Sequence, residues 1–432
     1  MAEIFPFPAL RYNPEKVSLA DVVTQPYDKI TPEMQERYYE NSPYNLVRII
    51  LRRAESDEND KNRYLSAANC LKTWRKERVF RQDPPSIYAY SQRFVAPGTS
   101  KSVERRGFIA AGRLHEYSEN VIYRHEQTLA KPKGDRLNLL RAAHAHFGQI
   151  FMLYSDPAQT IDSLLFEAQH EWQEVTDEYE VLHRLRRVDD PATLNIIKTE
   201  MSDRKLIIAD GHHRYETALN FRNETAESGC ECLRENAQKV MMTFVNMDSP
   251  GLVILPTHRV VFGLRQFDTA AFLNSARNLY EVKELESSGT QKTVQELSEA
   301  GTKAVSFIAA TRIGRFLLTA KSNSFEQIPA EFSTRQRNLD VLHLHSLLLE
   351  GILGITRQQI IEQQHVRYVR SADEVVRSVV TDSAVNVAFL MNPVSIEQVR
   401  EIAFAGEVLP QKSTDFYPKL LSGLTIFSLD NE

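Results

Sequence analysis

One uninterrupted run, Asp210-Gly211-His212-His213-Arg214, combines residue types that bind phosphates and transfer protons. The arginine guanidinium donates paired hydrogen bonds to phosphate oxygens, and imidazoles donate hydrogen bonds or carry protons near neutral pH. Glycine lets the backbone turn sharply and approach a ligand. The aspartate caps a helix, orients a nucleophile or holds Mg²⁺. The run therefore predicts a phosphate or nucleotide site, with Asp210 as a catalytic and metal-binding carboxylate.

The segment 125–136 adds a second group of chemically competent residues. His125 and Glu126 form a candidate acid/base pair. Lys131, Lys133 and Arg136 follow them, immediately before a predicted helix, and they suit the oxygens of a diphosphate or triphosphate. The same composition equally fits a solvated charged loop.

Two further segments offer phosphate donors. His258 and Arg259 lie beside an apolar run, where they form either a donor pair or a satisfied polar cluster in the core. Lys412-Ser413-Thr414 lies in a proline-bounded stretch that is either a phosphate loop or a surface connection. A metal site built from His212 and His213 is less favoured, because adjacent side chains diverge and would need a partner such as His125 or His258.

The elements that position the run are predicted by hydrophobic pattern. The apolar run 205–209 predicts a buried strand, and 215–227 predicts a helix that begins near Arg214. The first N–H groups of a helix lack intrahelical partners and carry partial positive charge. A strand-to-helix turn at 210–214 is therefore a natural anion site.

Helix and strand patterns mix throughout the rest of the chain. We predict a strand at 150–154, an amphipathic helix at 158–175, a strongly apolar helix at 339–353 and no internal repeat. This mixture predicts an α/β (α+β) protein with a mixed sheet. Its 432 residues predict two or three domains, with boundaries near 105 and 263.

Composition limits the function classes. Lys and Arg total 52 against 57 Asp and Glu, and a net charge of −5 provides no global field for nucleic acid. No segment approaches the roughly 20 apolar residues of a membrane helix, and residues 1–10 lack the basic stretch followed by an apolar stretch that an export signal has. We therefore expect a cytoplasmic protein whose partners include neither a membrane nor nucleic acid.

Six blocks of the sequence resemble a widespread prokaryotic family known as domain of unknown function 1015. In chain order, the blocks are QPYDKI at 25–30, SPYNLVRIIL at 42–51, HEQTLAKPKGDRLNLL at 125–140, IIADGHHRYETAL at 207–219, GLVILPTHRVV at 251–261 and PQKSTDFYPKLLSGL at 410–424. One departure is Arg124, because the family pattern has a proline before His-Glu.

The central part of the chain also resembles the ParB/sulfiredoxin fold and its free-serine kinases. This resemblance implies a nucleotide-binding core at 106–262, flanked by α/β regions at 1–105 and 263–432. It further implies that the turn at Asp210–Arg214 cradles nucleotide phosphates and that Glu126 is the base that activates a serine hydroxyl.

Three functional hypotheses follow. The first is a kinase that uses ATP or ADP with Mg²⁺ to phosphorylate a small hydroxyl-bearing metabolite, with free serine favoured. The second is a non-catalytic nucleotide-binding regulatory module of the ParB type. The third is a metal-dependent phosphohydrolase that uses His212, His213 and His258.

Overall fold

The computed structural model describes residues 1–53, 60–126, 133–167, 171–227, 230–286 and 289–430. The chain forms two compact units. The first unit comprises residues 1–124, 128–253 and 418–432, and the second comprises residues 125–127 and 254–417. The division of the sequence into regions 1–105, 106–262 and 263–432 stays a prediction.

The first unit is an α/β assembly. Its strands are Ile4–Phe5, Leu10–Tyr12, Phe80–Gln82, Ile87–Val95, Ser102–Arg113, Ile122–Arg124, Ala145–His146, Ile150–Tyr154, Gln173–Thr176, Leu182–Val188, Leu206–Asp210, Lys239–Asn246 and Phe427–Ser428. Its helices are Leu19–Val22, Tyr27–Lys29, Pro32–Asn41, Val47–Ile50, Asp60–Lys76, Tyr117–Glu119, Lys133–Ala143, Thr160–Phe166, Pro191–Ser202, His212–Ala226 and Glu231–Asn236.

Nine of these strands form one mixed sheet. Its order is 122–124, 206–210, 150–154, 239–246, 102–113, 87–95, 182–188 and 173–176, with 4–5 paired to 102–113. Two pairs are parallel, 206–210 with 122–124 and 239–246 with 150–154, while the other pairs are antiparallel. The predicted mixed α/β fold is confirmed.

The strand Leu206–Asp210 lies in the interior of this sheet. Its first four residues are buried, which explains the continuous apolar run, because a strand covered on both faces does not alternate. The following helix packs Tyr215, Ala218 and Leu219 into the same core as Ile208. The strand-to-helix turn is thus anchored on both sides by burial of apolar surface.

The second unit has its own sheet. Its strands are Val253–Leu255 (whose first residue belongs to the first unit), His258–Phe262, Tyr280–Leu285, Ser306–Thr311, Gly314–Ala320, Val366–Val369, Val385–Met391 and Asp415–Tyr417. Its helices are Thr269–Ala276, Thr290–Gly301, Ser322–Glu326, Thr334–Arg337, Asp340–His343, Leu344–Ile352, Arg357–Ile361, Ala372–Thr381 and Ile396–Phe404. Six strands form an antiparallel sheet in the order 280–285, 314–320, 306–311, 385–391, 258–262 and 366–369.

Three sequence predictions show what local pattern captures. The strand at 150–154 is confirmed. The helix predicted over 158–175 is wrong in its second half, where Gln173–Thr176 is an edge strand paired with 182–185. The apolar helix at 339–353 is wound as an α-helix over Asp340–His343 and as a π-helix over Leu344–Ile352.

Candidate functional site

The turn at 210–214 begins with a glycine in a left-handed conformation. Gly211 has φ of +92° and is the N-cap of the helix His212–Ala226, with no side chain capping the helix. The helix starts two residues earlier than the sequence predicts, so His212, His213 and Arg214 are its first three residues. Their N–H groups are the ones without intrahelical carbonyl partners. This end of the helix is therefore suited to receive an anion.

Arg214 is held in place across the turn. One guanidinium nitrogen donates to the Gln149 carbonyl and another donates to Oδ2 of Asp210 at 3.0 Å. Two glycines allow this position, because a Cβ on Gly211 would lie 3.1 Å from the guanidinium and one on Gly148 would lie 3.3 Å from Nη1. The arginine is thus pre-positioned, which lowers the entropy cost of binding an oxyanion.

Asp210 is surrounded by positive charge. Lys419 Nζ lies 3.7 Å from Oδ1, opposite the Arg214 ion pair on Oδ2. Burial would raise the pKa of Asp210, but Lys419, Arg214 and Lys29 outweigh burial and hold the pKa well below its usual value. The local charge is therefore positive in total, although a carboxylate lies at its centre.

These residues do not fit a protein-held Mg²⁺. Magnesium prefers oxygen ligands in an octahedral arrangement, whereas the Asp210 carboxylate already faces two cations. Among the described residues, no group of three or more His, Cys, Asp and Glu side chains is arranged to hold a metal. The positive surplus at the turn suits phosphate oxygens better than a second cation.

A cavity of about 70 Å³ opens beside Arg214 within the first unit. Its wall includes Tyr27, Arg136 and Ser422 in addition to Arg214. The Arg136 guanidinium lies 4.2 Å from the centre of the Tyr27 ring and donates to Asp135 and to the Ile50 carbonyl. Residues from five of the six family blocks (25–30, 42–51, 125–140, 207–219 and 410–424) thus line one basic cavity. We call it the basic cavity.

A buried polar network supports the backbone of Lys419. Gln92 donates from Nε2 to the Lys419 carbonyl at 2.8 Å and accepts from Arg105, which also donates to the Pro418 carbonyl. Burial lowers the pKa of Arg105 to about 10. The network fixes the chain from which the Lys419 side chain extends towards Asp210.

In the second unit, the predicted base Glu126 is engaged by the segment 409–414. Glu126 Oε1 accepts from the Lys412 N–H at 2.6 Å, and Oε2 accepts from the Thr414 hydroxyl at 3.5 Å. The buried His125 ring shares a hydrogen bond of 2.7 Å with that hydroxyl. Lys412 itself has φ of +57°, and Ser413 is buried with its hydroxyl on the Pro410 carbonyl.

His258 and Arg259 are also buried within the second unit. His258 Nδ1 accepts from the Met391 N–H at 3.0 Å, and burial lowers the pKa of this imidazole to about 4. Arg259 donates to the carbonyls of Thr257 and Lys412, and burial lowers its pKa to about 10. The described contacts of both side chains are those of a polar cluster in the core.

The sequence-predicted residues therefore fall into two sets. Within the first unit, Arg136 and Arg214 line one cavity, and Asp210 pairs with Arg214 across the turn at Gly211. Within the second unit, it joins His125 and Glu126 to the segment 412–414 and connects Arg259 to the same segment. Lys131 and the side chain of Lys133 lie outside the described residues.

Sequence reasoning missed four contributors to the first set. Lys419, Lys29, Tyr27 and Gly148 approach Asp210 or Arg214. Tyr27, Lys29 and Lys419 lie in the family blocks 25–30 and 410–424, so the resemblance to the family could have identified them as candidate site residues. Composition alone describes Tyr27 as part of a turn. Gly148 carried no separate signal, because its role depends on the approach of Arg214 from another element.

The sequence pattern of the family described as protein of unknown function (DUF1015) matches residues 4–342, and the chain belongs to this family. Five of the six blocks lie within the matched residues. No curated protein matches the chain.

Three solved structures of low sequence identity align with part of this chain. Free serine kinase in complex with AMP is 12% identical, with a TM-score of 0.34, and the match covers 70% of this chain and 89% of that one. SbnI from Staphylococcus aureus is 10% identical, with a TM-score of 0.35 and coverage of 75% and 90%. A conserved hypothetical protein from Pyrococcus furiosus is 11% identical, with a TM-score of 0.32 and coverage of 68% and 87%. Likenesses of this extent do not assign an activity.

None of the described helices combines the length and the apolar character that crossing a membrane requires.

Proposed function

We propose that this protein is a cytoplasmic nucleotide-dependent kinase that phosphorylates the hydroxyl of a small metabolite, with free serine as the favoured acceptor. The observation that carries the proposal is the positive surplus around the glycine-capped N-terminus of the helix His212–Ala226, beside the basic cavity. Phosphoryl transfer depends on neutralising and positioning phosphate oxygens. Arg214, Lys419 and the helix N–H groups supply those functions in the proposal.

The nucleotide is ATP or ADP, and its own phosphate oxygens provide ligands for Mg²⁺. This assignment follows from the ion pairs of Asp210, which leave that carboxylate poorly suited to hold the ion. Mg²⁺, when bound to the phosphates, supplies additional charge neutralisation. Asp210 then orients Arg214 and Lys419.

Glu126 is the proposed base for the acceptor hydroxyl. Phosphorus NMR on the purified protein with Mg²⁺, ATP or ADP and a pool of free amino acids tests this role. Wild type produces a new phosphomonoester signal, and Glu126→Gln reduces its rate by about 10²- to 10⁴-fold, while nucleotide affinity persists.

The matched control is Glu407→Gln, a glutamate of the same unit that accepts from the Ser333 hydroxyl at 2.8 Å. Equal rates for Glu126→Gln and wild type would remove Glu126 as the base. Release of phosphate without a new ester would instead indicate a hydrolase.

A non-catalytic nucleotide-binding module is the second candidate. The observation that favours it is the engagement of the Glu126 carboxylate by the Lys412 N–H, since a base must be free to accept the proton of its substrate. Under this candidate, nucleotide raises the melting temperature, but the phosphorus signals of ATP and ADP stay unchanged with every acceptor.

A further inference from the structure

The second unit contains a cavity of its own, separate in residues from the basic cavity. Its volume is about 120 Å³. The apolar part of its wall includes Leu342, Ile360 and Leu409, and its charged lining residues are Glu331, Glu350 and Arg357. All these residues belong to the second unit. We call it the mixed-charge cavity.

The π-helix Leu344–Ile352 supplies one wall of the mixed-charge cavity. His345, Ser346 and Glu350 line the cavity from this element. Because π winding bonds residue i to residue i+5, it brings His345 and Glu350, five positions apart, towards one face. An α-helix would turn these two side chains well away from each other. The unusual winding thus assembles this polar wall.

His345 is the buried member of that wall. The residue is 7% exposed, and its Nε2 atom is buried without a hydrogen-bond partner. Burial keeps the pKa of His345 well below its usual value, so the ring is neutral at physiological pH. An unsatisfied buried nitrogen costs free energy that a ligand atom can recover.

The charged groups of the lining carry both signs. Arg357 Nη1 lies 3.7 Å from Oε1 of Glu331, and the two side chains are 55% and 65% exposed. The pKa of Glu350 is raised overall, mainly by burial and also by the nearby Glu331 carboxylate, while Arg357 acts in the opposite direction. Such a cavity offers a guanidinium for a carboxylate and carboxylates for an ammonium group.

We propose that the mixed-charge cavity binds a small zwitterion of the free amino acid class. Arg357 receives the carboxylate, Glu350 and Glu331 receive the ammonium, and His345 Nε2 bonds a polar side-chain group. The two carboxylates of the lining select against the phosphates of a nucleotide and in favour of a ligand that also carries an ammonium group. This inference does not rest on the proposed kinase, because binding requires neither nucleotide nor turnover.

The test is isothermal titration calorimetry of the full chain with each of the twenty free amino acids, without nucleotide. At least one amino acid binds wild type, and Arg357→Gln weakens that binding by about tenfold or more, since charge-assisted hydrogen bonds to the carboxylate are lost. Arg335→Gln is the control, because Arg335 is an exposed arginine of the same unit in a similar ion pair, 3.3 Å from Glu407.

Two outcomes would overturn the proposal: no amino acid binds wild type, or Arg357→Gln and Arg335→Gln bind equally. Arg214→Met separates this inference from the proposed function. We expect Arg214→Met to retain amino acid binding at the mixed-charge cavity and to lose affinity for nucleotide phosphates at the turn in the first unit.

Discussion

The basic cavity of the first unit and the mixed-charge cavity of the second differ in the charges at their walls. Arg136 and Arg214 are the charged lining residues of the first, whereas the second combines Arg357 with Glu331 and Glu350. The two cavities also differ in the backbone element beside them, which is a glycine-capped helix end at the basic cavity and a π-helix at the mixed-charge cavity. The charges of the lining residues, more than the volume of the cavity, therefore separate an anion site from a zwitterion site.

Arg214→Met removes the central cation of the basic cavity and gives the largest expected effect. We expect the affinity for ADP to fall about 100-fold, because paired charge-assisted hydrogen bonds to phosphate are lost. Calorimetric titration measures the change. Arg222→Met, on the same helix but paired with Glu116, is the control and keeps the wild-type affinity; a loss of equal size there would assign the effect to the helix.

Lys419→Met reduces the same positive surplus by one charge, and we expect about a tenfold loss of ADP affinity.

The ion pairs of Asp210 also make the stability of the fold depend on pH. Because the pKa of Asp210 is depressed, its ion pairs stabilise the fold above about pH 4, the unfolded-state value, and that contribution is lost as pH falls through the folded-state pKa.

The free energy of unfolding of Lys419→Met should therefore lie below that of wild type at neutral pH, by about 1 kcal/mol. The difference should shrink under acidic conditions, as denaturant titrations at several pH values will measure. A difference that is constant with pH would mean that Lys419 does not act through Asp210.

Gly211→Ala strains the turn and displaces Arg214. A residue with a Cβ at φ of +92° costs about 1 kcal/mol, and the new methyl group would lie 3.1 Å from the guanidinium. We expect about a fivefold loss of ADP affinity together with the loss of stability. Gly98→Ala is the control, because Gly98 has a similar φ of +78° but no atom lies within 4 Å of the added Cβ. This variant should lose stability and keep the wild-type affinity for ADP.

Gly148→Ala is the mildest change at the basic cavity. Its φ is not positive, and its Cβ would meet Nη1 of Arg214 at 3.3 Å. A shift of the guanidinium by a few tenths of an ångström should reduce ADP affinity by about twofold. Gly289→Ala, where no atom lies within 4 Å, is the control. An unchanged affinity for Gly148→Ala would show that the guanidinium tolerates the shift.

The central turn could be predicted from the sequence because its signals are local. A buried apolar run, a glycine and an arginine in the first helical turn follow one another along the chain, and the structure has strand, left-handed glycine and helix there. The winding of 344–352 could not be predicted in this way. Its apolar pattern is compatible with an α-helix, and the π winding depends on tertiary packing.

The other misses have the same physical origin. Lys419 and Lys29 are separated from Asp210 by about two hundred residues of sequence, and only the fold brings their charges to the carboxylate. The strand at 173–176 is an edge strand whose pairing with 182–185 overrides a helical pattern. In each case the structure is determined by contacts between residues that lie apart in the sequence, which a local pattern does not reveal.

Hydrogen–deuterium exchange would show whether the turn at 210–214 binds nucleotide phosphates. Peptides that cover 207–219 are followed with and without ADP in wild type and in Arg214→Met. We expect ADP to slow exchange at the N–H groups of residues 211–214 in wild type, since these groups donate to phosphate, and to cause little change in the variant. Protection by ADP that leaves 211–214 unaffected, or that persists fully in Arg214→Met, would contradict it.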